Sequence, residues 1–306
     1  MRIVSLLPAA TEFLYAIGLE PVGVSHECDH PPAARDLPTV TRTHVDADTT
    51  TAIDGQVESA MADDGSVFEI DTGRLAALDP DLIITQGTCA VCAVDAAVVH
   101  DAVAGIGRNP EVLTVDPHTI DDVLAMGRRI GRAAGVPQQA DRLTEDLAER
   151  LTALDRRVEP TDRPTVAILD WLSPLMVAGH WVPEVVEVAG GRYPLVDPGS
   201  ASRTRNWTTI RELDPDVLVA APCGLDVEST RADADLLTSR PGWNALSAVE
   251  SGEVYAMDGN AFLNRPGPRV VDAAELLAGV LHPDTMPSPP RSALQSLVDP
   301  GSRPAQ

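Results

Sequence analysis

The sequence predicts an α/β fold in which two Rossmann-like α/β lobes are joined by a long rigid helix. Residues 75–85 (LAALDPDLIIT) and 210–220 (IRELDPDVLVA) share one pattern: a helix end, an Asp-Pro-Asp turn and an apolar run. Proline disfavours helical geometry in the preceding residue, and an unbroken apolar run is typical of a parallel strand covered on both faces. The halves also open alike, with RIVSLLPAATEF at the start and PTVAILDWLSPL at 164–175. This repetition predicts two related lobes with a break near residue 160.

A long helical stretch separates the two lobes. Residues 119–135 begin at a threonine, a good N-cap, and end at a glycine, the usual residue after a helix. In residues 136–160 leucines recur at every third or fourth position, which predicts a second helix and a rigid connection. The tail is rich in Pro and Ser and reads as disordered. The predicted division is 1–118 for the N-terminal lobe, 119–160 for the connecting helices, 161–283 for the C-terminal lobe and 284–306 for the disordered tail.

The composition excludes several classes of function. The chain has 306 residues, 44% of them hydrophobic, so it can bury a large core. Its net charge is −23, its basic residues are all arginine, and no basic patch stands out, so nucleic acid is not expected as a partner. The spread of acidic residues suggests a surface adapted to concentrated salt, and hence a halophilic source. No G-x-x-x-x-G-K-[ST] or G-x-S-x-G pattern is present, which argues against an NTPase or an α/β-hydrolase.

The N-terminus predicts a cytoplasmic protein that does not span a membrane. The segment MRIVSLLPAATEFLYAIGLEP carries one arginine, has a proline and a glutamate inside its apolar run, and lacks a small-residue cleavage site. It is not followed by a cysteine that could take a lipid. It therefore reads as a strand and a helix, and export is expected only if the start is misassigned. In a reducing cytosol, cysteines are expected as thiols or metal ligands.

All four cysteines follow predicted strands, where an open α/β sheet binds ligands. Four thiols near one crevice suggest zinc or an iron–sulfur cluster, and a C-x-x-C pair followed by a helix also suits redox or covalent chemistry. Two histidines flank the first cysteine at alternate positions. The alternative is that these are ordinary buried thiols and solvated histidines. The candidate metal ligands are Cys28, Cys89, Cys92, Cys223, His26 and His30.

The scarce aromatic residues, 3% of the chain, suggest a binding site in the second lobe. Trp171 follows a predicted strand, and Trp181 and Trp207 lie where helices begin. Indole rings commonly stack on flat apolar ligands, although local packing would explain the same placement. Beyond Phe262, Arg265 and Arg269 lie in the proline-stiffened segment NRPGPR, where they suit carboxylates or phosphates, or else form an ordinary surface loop.

These features together resemble the class III solute-binding proteins, over roughly residues 1–283. The most specific pieces are RIVSLLPAATEFLYAIGLEPVGVSHECDHP, LDPDLIITQ and RPGWNALSAVESGEVYAMDG. The pieces GHWVPEVVEVAGG and NRPGPR are similar to the cobalamin-binding branch of that family. The resemblance depends on the two lobes and these segments; the cysteines and the missing export signal depart from the family pattern.

The resemblance implies a non-enzymatic protein that binds a large ligand in an interlobe cleft. That ligand would be a corrinoid such as cobalamin, another tetrapyrrole or a metal chelate, and the protein would serve ABC-type uptake with a permease, or intracellular handling. A histidine of the segment His26–His30 is then a candidate axial ligand to a bound cobalt or iron, and His180 is the second choice for that role. The competing interpretation is a cytosolic zinc or iron–sulfur protein or enzyme that uses the four cysteines.

Overall fold

The N-terminal lobe is built on a four-stranded parallel sheet with strand order β2-β1-β5-β6. Its central strands are short apolar runs covered on both faces, and every residue of LIITQ in β5 is buried. A separate two-stranded antiparallel ribbon joins β3 to β4. The strands are β1 Ile3–Ser5, β2 Gly23–Val24, β3 Thr41–Thr43, β4 Phe68–Ile70, β5 Leu82–Gln86 and β6 Glu111–Val115.

Helices cover the first sheet. The Asp-Pro-Asp turn before β5 ends a helix as predicted, with Asp79 in the left-handed conformation at φ 47°. The helices of this lobe are α1 Pro8–Ala16, α2 Thr50–Asp63, α3 Thr72–Leu78 and α4 Ala96–Gly105, with a 3₁₀ turn at Pro32–Asp36. The structure, a computed structural model, describes residues 1–47, 49–63, 66–87, 94, 96–105, 107, 109–158 and 163–298.

Two connecting helices follow, α5 at Ile120–Ala133 and α6 at Pro137–Arg157. Thr119 caps α5 in a reciprocal capping box with Asp122. The two helices pack tightly: a Cβ added to Gly131 would collide with the Cβ of Ala140. The predicted helical connection is confirmed, with ends one to three residues inside the predicted ranges.

The C-terminal lobe has a six-stranded sheet with strand order β12-β11-β10-β7-β8-β9. The strands β7, β10 and β11 are mutually parallel, and antiparallel strands flank them on both sides. The strands are β7 Val166–Leu172, β8 Leu175–Val177, β9 Arg203–Thr204, β10 Val217–Ala220, β11 Val254–Met257 and β12 Leu294–Ser296. The helices are α7 Val182–Val188, α8 Trp207–Leu213, α9 Val227–Ala232, α10 Asp235–Thr238, α11 Ser247–Ser251 and α12 Val270–Leu281, with a 3₁₀ turn at Trp243–Ala245 and a π-helical turn at Gly259–Leu263.

The structure differs from the predicted disordered tail over residues 284–298. Here β12 pairs antiparallel with β11, and Met286, Ala293 and Leu294 are buried. These apolar side chains lack the periodicity that marks a strand in sequence, yet they cover an otherwise open sheet edge.

One apolar core runs through both lobes. It includes Phe13 and Leu14 of α1, Leu147 and Leu154 of α6, and Ile168 of β7. Since α6 contributes to the same core as both sheets, relative motion of the lobes would disturb apolar packing. This packing agrees with the rigid connection expected from the sequence.

Candidate functional site

Three parallel strands of the second lobe end at one edge, and this edge faces the first lobe. The backbone N–H of Cys223, after β10, donates to the carbonyl of Asp170 in β7 at 3.1 Å. The side-chain amide of Asn264 donates to the carbonyl of Ala221 at 2.9 Å. Ligands of open α/β sheets bind beyond such carboxyl ends, so this edge is the candidate site.

Arg265 joins the two lobes beside this edge and is buried, with 5% of its surface exposed. Its guanidinium donates to Asp29 at 2.5 Å and to Glu12 at 3.4 Å, both in the first lobe. It also donates to the backbone carbonyl of Glu27 at 3.3 Å and to Asn260 at 2.9 Å. Burial alone would raise the pKa of Asp29, but the hydrogen bond and charge of Arg265 outweigh it and lower that pKa.

Arg269 completes this interlobe ion network, which comprises Glu12, Asp29, Arg265 and Arg269. Its Nε and Nη2 bind the two oxygens of Glu12 at 3.0 and 2.5 Å, a bidentate pair. Its guanidinium also lies 5.7 Å from the ring centre of Phe262. The sequence predicted that both arginines would take anionic groups of a ligand; in the structure they are paired with carboxylates of the first lobe instead.

A second contact between the lobes involves α2. The backbone N–H and the hydroxyl of Thr50 both donate to Asp233 Oδ2 at 2.7 Å, and both residues are buried. The helix itself packs against β7. The sequence offered no signal for this contact, because Thr50 lies in a run of three threonines and Asp233 in an ordinary acidic segment.

Asp170 lies at the end of β7, where the pairing with β8 shifts register between Leu169 and Trp171. Its carboxylate accepts a hydrogen bond from Ser202, while Oδ1 is shielded from solvent and has no hydrogen-bond partner among the described residues. Burial raises the pKa of this carboxyl to about 6, against the opposing effect of Ser202. An aspartate directly after the apolar run TVAIL was a signal that the sequence prediction passed over.

The three candidate tryptophans lie in different environments. Trp171 is half-buried at the carboxyl end of β7, and its Nε1 donates to the carbonyl of Ser173 at 3.1 Å. Trp181 is buried and donates to the carbonyl of Leu263 at 2.9 Å. Trp207 is buried and stacks on Trp243 with ring centres 6.1 Å apart. The geometry therefore leaves Trp171 as the candidate that reaches the strand edge, while the other two pack in the core.

His180 lies where the two lobes meet. It adopts the left-handed conformation at φ 54°, stacks on Trp181 and places Nδ1 3.1 Å from Nδ1 of His118. Burial and the neighbouring His118 lower its pKa, so the neutral ring is favoured. His118 in turn lies 3.2 Å from Asp116. The predicted axial ligand thus has a protein partner in this structure.

The thiol of Cys28 lies inside the first lobe, close to Thr11 and to the carbonyl of Ser5. It is buried, accepts a hydrogen bond from Thr11 at 3.1 Å, and has its pKa raised to about 12 by burial. Such a thiol stays protonated, and in this protonated form it is a poor nucleophile. A strand end fixes the position of the backbone and leaves the direction of the side chain open, so the sequence pattern alone does not place this thiol.

The other candidate ligands that the structure describes do not form a metal site. His26 contacts Thr41 at 2.7 Å and Glu27 at 3.1 Å, whereas His30 is exposed. Cys223 is partly buried in the other lobe, and Cys89 and Cys92 lie outside the described residues. Across the part of the chain that the structure describes, no three His, Cys, Asp or Glu side chains are grouped to hold a metal ion. The predicted zinc or iron–sulfur site and the competing metal-protein interpretation therefore have no support.

Known proteins resemble this chain over nearly its whole length. It is 24% identical over 293 residues to an uncharacterized ABC transporter substrate-binding lipoprotein of Bacillus subtilis, covering 93% of this chain and 81% of that protein. It is 25% identical over 282 residues to a vitamin B12-binding protein of Vibrio cholerae, covering 90% and 86%. The solved structure of a periplasmic heme-binding protein from Pseudomonas aeruginosa matches with a TM-score of 0.73 and 22% identity, covering 96% and 97%.

The predicted cytoplasmic location is wrong. The matching relatives are periplasmic proteins or lipoproteins, which act outside the cytoplasm. The prediction relied on features of the first 21 residues, and in the structure these form β1 and α1. Those residues belong to the folded lobe, so they carry no information about export. Among the helices that the structure describes, none is both long and apolar enough to cross a bilayer.

The relatives also establish the class of the protein. They are solute-binding proteins and not enzymes, which confirms the expectation of a non-enzymatic binding protein. The model of the family described as "Periplasmic binding protein" matches residues 3–261. Together with the two lobes and the helical connection, this match shows that the chain belongs to the periplasmic binding protein family.

Proposed function

We propose that this protein is the substrate-binding component of an ABC-type uptake system and carries a corrinoid between its two lobes. The observation that carries the proposal is the match to vitamin B12-binding proteins over about nine-tenths of the chain. The relative from Bacillus subtilis, named as an ABC transporter substrate-binding lipoprotein, supports the link to a permease. A heme-binding protein of the same fold makes another tetrapyrrole the ligand to test against.

The geometry of the strand edge supports a large flat ligand. Trp171 offers an indole face at the end of β7, and its N–H is already bound to Ser173, so the ring has a fixed orientation. At the same strand edge, Cys223 after β10 is hydrogen-bonded to the carbonyl of Asp170, and Asn264 after the π-helical turn is hydrogen-bonded to the carbonyl of Ala221. In the described state α2 packs over β7 and the interlobe ion network joins the lobes. Binding therefore requires α2 to move or the cleft to widen at this edge.

Titration of the purified protein with cyanocobalamin and with haemin tests the proposal. Both ligands absorb visible light, so binding can be followed by absorbance and checked by calorimetry. We expect saturable one-to-one binding of cyanocobalamin. Saturable binding of haemin without binding of cyanocobalamin would keep the proposed role in uptake but replace the corrinoid by haem as the ligand. If neither compound binds, the proposal of a corrinoid or other tetrapyrrole ligand is contradicted.

A further inference from the structure

Asp170 has the position of a ligand-contacting residue. It is the extra residue of a β-bulge between β7 and β8, and a bulge turns a side chain away from the regular alternation of the strand. It directly precedes the half-buried Trp171, and its carbonyl accepts the N–H of Cys223 from the neighbouring strand end. Its backbone thus lies at the edge where ligands of such sheets bind, and its carboxylate is hydrogen-bonded to Ser202 near the buried Tyr193.

One oxygen of this carboxylate lacks a partner among the described residues. Ser202 donates to the carboxylate, whereas Oδ1 is shielded from solvent and unpaired there. Leaving a charged acceptor buried and unsatisfied is costly, so each such group in a native protein calls for an explanation. A hydrogen-bond donor on a bound ligand would satisfy Oδ1.

The charges near this edge favour a ligand group that donates a hydrogen bond over a ligand group that carries a negative charge. Arg265 and Arg269 are already paired with Glu12 and Asp29 in the interlobe ion network. Arg240 lies beside the end of β7, where it donates to the carbonyl of Leu172 at 2.8 Å and covers Trp207. The protein as a whole carries a net charge of −23, which repels anionic ligands.

We propose that Asp170 is a specificity-determining residue that accepts a hydrogen bond from an amide N–H at the periphery of the ligand, so that macrocycles edged with amides are selected over macrocycles edged with carboxylates. This inference rests on the proposed function, because it requires a macrocycle in the cleft. Corrinoids such as cobalamin carry amide side chains, whereas haem carries propionates. A carboxylate would meet Asp170 as a second negative charge.

The test compares wild type, Asp170→Ala and Asp170→Asn with three probes: cyanocobalamin, dicyanocobyrinic acid and haemin. Cobyrinic acid keeps the corrin ring but has carboxylates in place of the amides and lacks the nucleotide loop of cobalamin, so the role of Asp170 is read from the change in preference between wild type and the variants. We expect wild type to bind cyanocobalamin at least about tenfold more tightly than either carboxylate probe. Asp170→Ala is expected to lose roughly tenfold in affinity for cyanocobalamin and to lose none for haemin. Asp197→Ala, an exposed aspartate of the same lobe, is the matched control and should bind as wild type does.

The outcomes separate this inference from the proposed function. If wild type and Asp170→Ala bind cyanocobalamin equally well, the inference is overturned and the proposed function stands. Haemin binding that depends on Arg240, tested with Arg240→Gln, would also overturn it. If none of the probes binds, both proposals fail. Should Asp170→Ala not fold, Asp170→Asn decides: it keeps the shape of the side chain but should lose the preference of wild type for cyanocobalamin over cobyrinic acid.

Discussion

The buried carboxylate of Asp170 makes folding depend on pH. Burial raises its pKa to about 6, above the ordinary value of an unfolded aspartate, so the stability it contributes is complete at low pH and is lost as pH rises through about 6. Asp170→Asn removes the charged form. We expect this variant to exceed wild type in free energy of unfolding by about 1–3 kcal/mol at pH 7.5, with the difference vanishing near pH 4. Urea unfolding at both pH values measures it; equal stabilities at pH 7.5 would contradict the buried, unpaired state.

Glu12 is the opposite case, a buried charge with good partners. It is 4% exposed and binds both Arg265 and Arg269. Glu12→Gln leaves two arginines with a neutral partner, and breaking a buried pair from one side costs about 3–5 kcal/mol. We expect a loss of this size in urea unfolding, against a negligible change for Glu20→Gln, whose side chain is exposed just after α1. A loss below about 1 kcal/mol would show that the interlobe ion network is loosely held in solution.

Individual residues were the hardest level to predict from sequence. The position of Glu12 inside the apolar segment AATEFLYA was a usable signal, because a charge in a buried helix needs a partner. The sequence carried no signal for the directions of the Trp181 and Trp207 side chains. Both residues lie where helices begin, as predicted, but their indole N–H groups donate to backbone carbonyls, and the rings pack in the core. Arg265 and Arg269 were singled out correctly as a pair, while their carboxylate partners lie more than 230 residues away in sequence.

Secondary-structure elements followed the sequence far more closely. The two Asp-Pro-Asp turns end α3 and α8, each with an aspartate in the left-handed conformation, Asp79 and Asp214. The helices α5 and α6 began and ended where caps, prolines and leucine spacing indicated. Local chemistry determines these features. Strand β12 was missed because its ordering comes from pairing with β11, a contact that no local pattern encodes.

The packing of α5 on α6 gives a test at this scale. A Cβ on Gly131 would collide with Ala140, so Gly131→Ala must push the helices apart. Overpacking of this kind costs about 1–3 kcal/mol, and we expect that loss in urea unfolding. Gly55→Ala in the exposed part of α2 is the control: its Cβ meets open space, and replacing a helical glycine should stabilise by up to about 1 kcal/mol. If both substitutions stabilise, the close approach of α5 and α6 is wrong.

At the scale of the whole molecule, a shared apolar core and several contacts among the described residues keep the lobes together. The Thr50–Asp233 contact and the interlobe ion network each join a residue that precedes the connecting helices in sequence to one that follows them. The shared core includes residues of α6. This arrangement favours small movements at the strand edge over a wide opening of the cleft. Asp170 and Trp171 lie at that edge, whereas Arg265 and Arg269 are held in the ion network.

The surface charge predicts how the stability of the molecule responds to salt. With 46 acidic and 23 basic residues, the surface carboxylates of the folded state repel one another. At 0.1 M salt, this repulsion is largely screened between charges more than about 10 Å apart. We expect the midpoint of thermal unfolding to rise as KCl increases from 0.05 to about 2 M, most steeply at the low end. The penalty of Glu12→Gln should stay nearly constant over the same range, because its partners are buried and salt does not reach them. Full stability at 0.05 M KCl would argue against a surface adapted to salt, and a Glu12→Gln penalty that fades with KCl would show that the ion network is open to solvent.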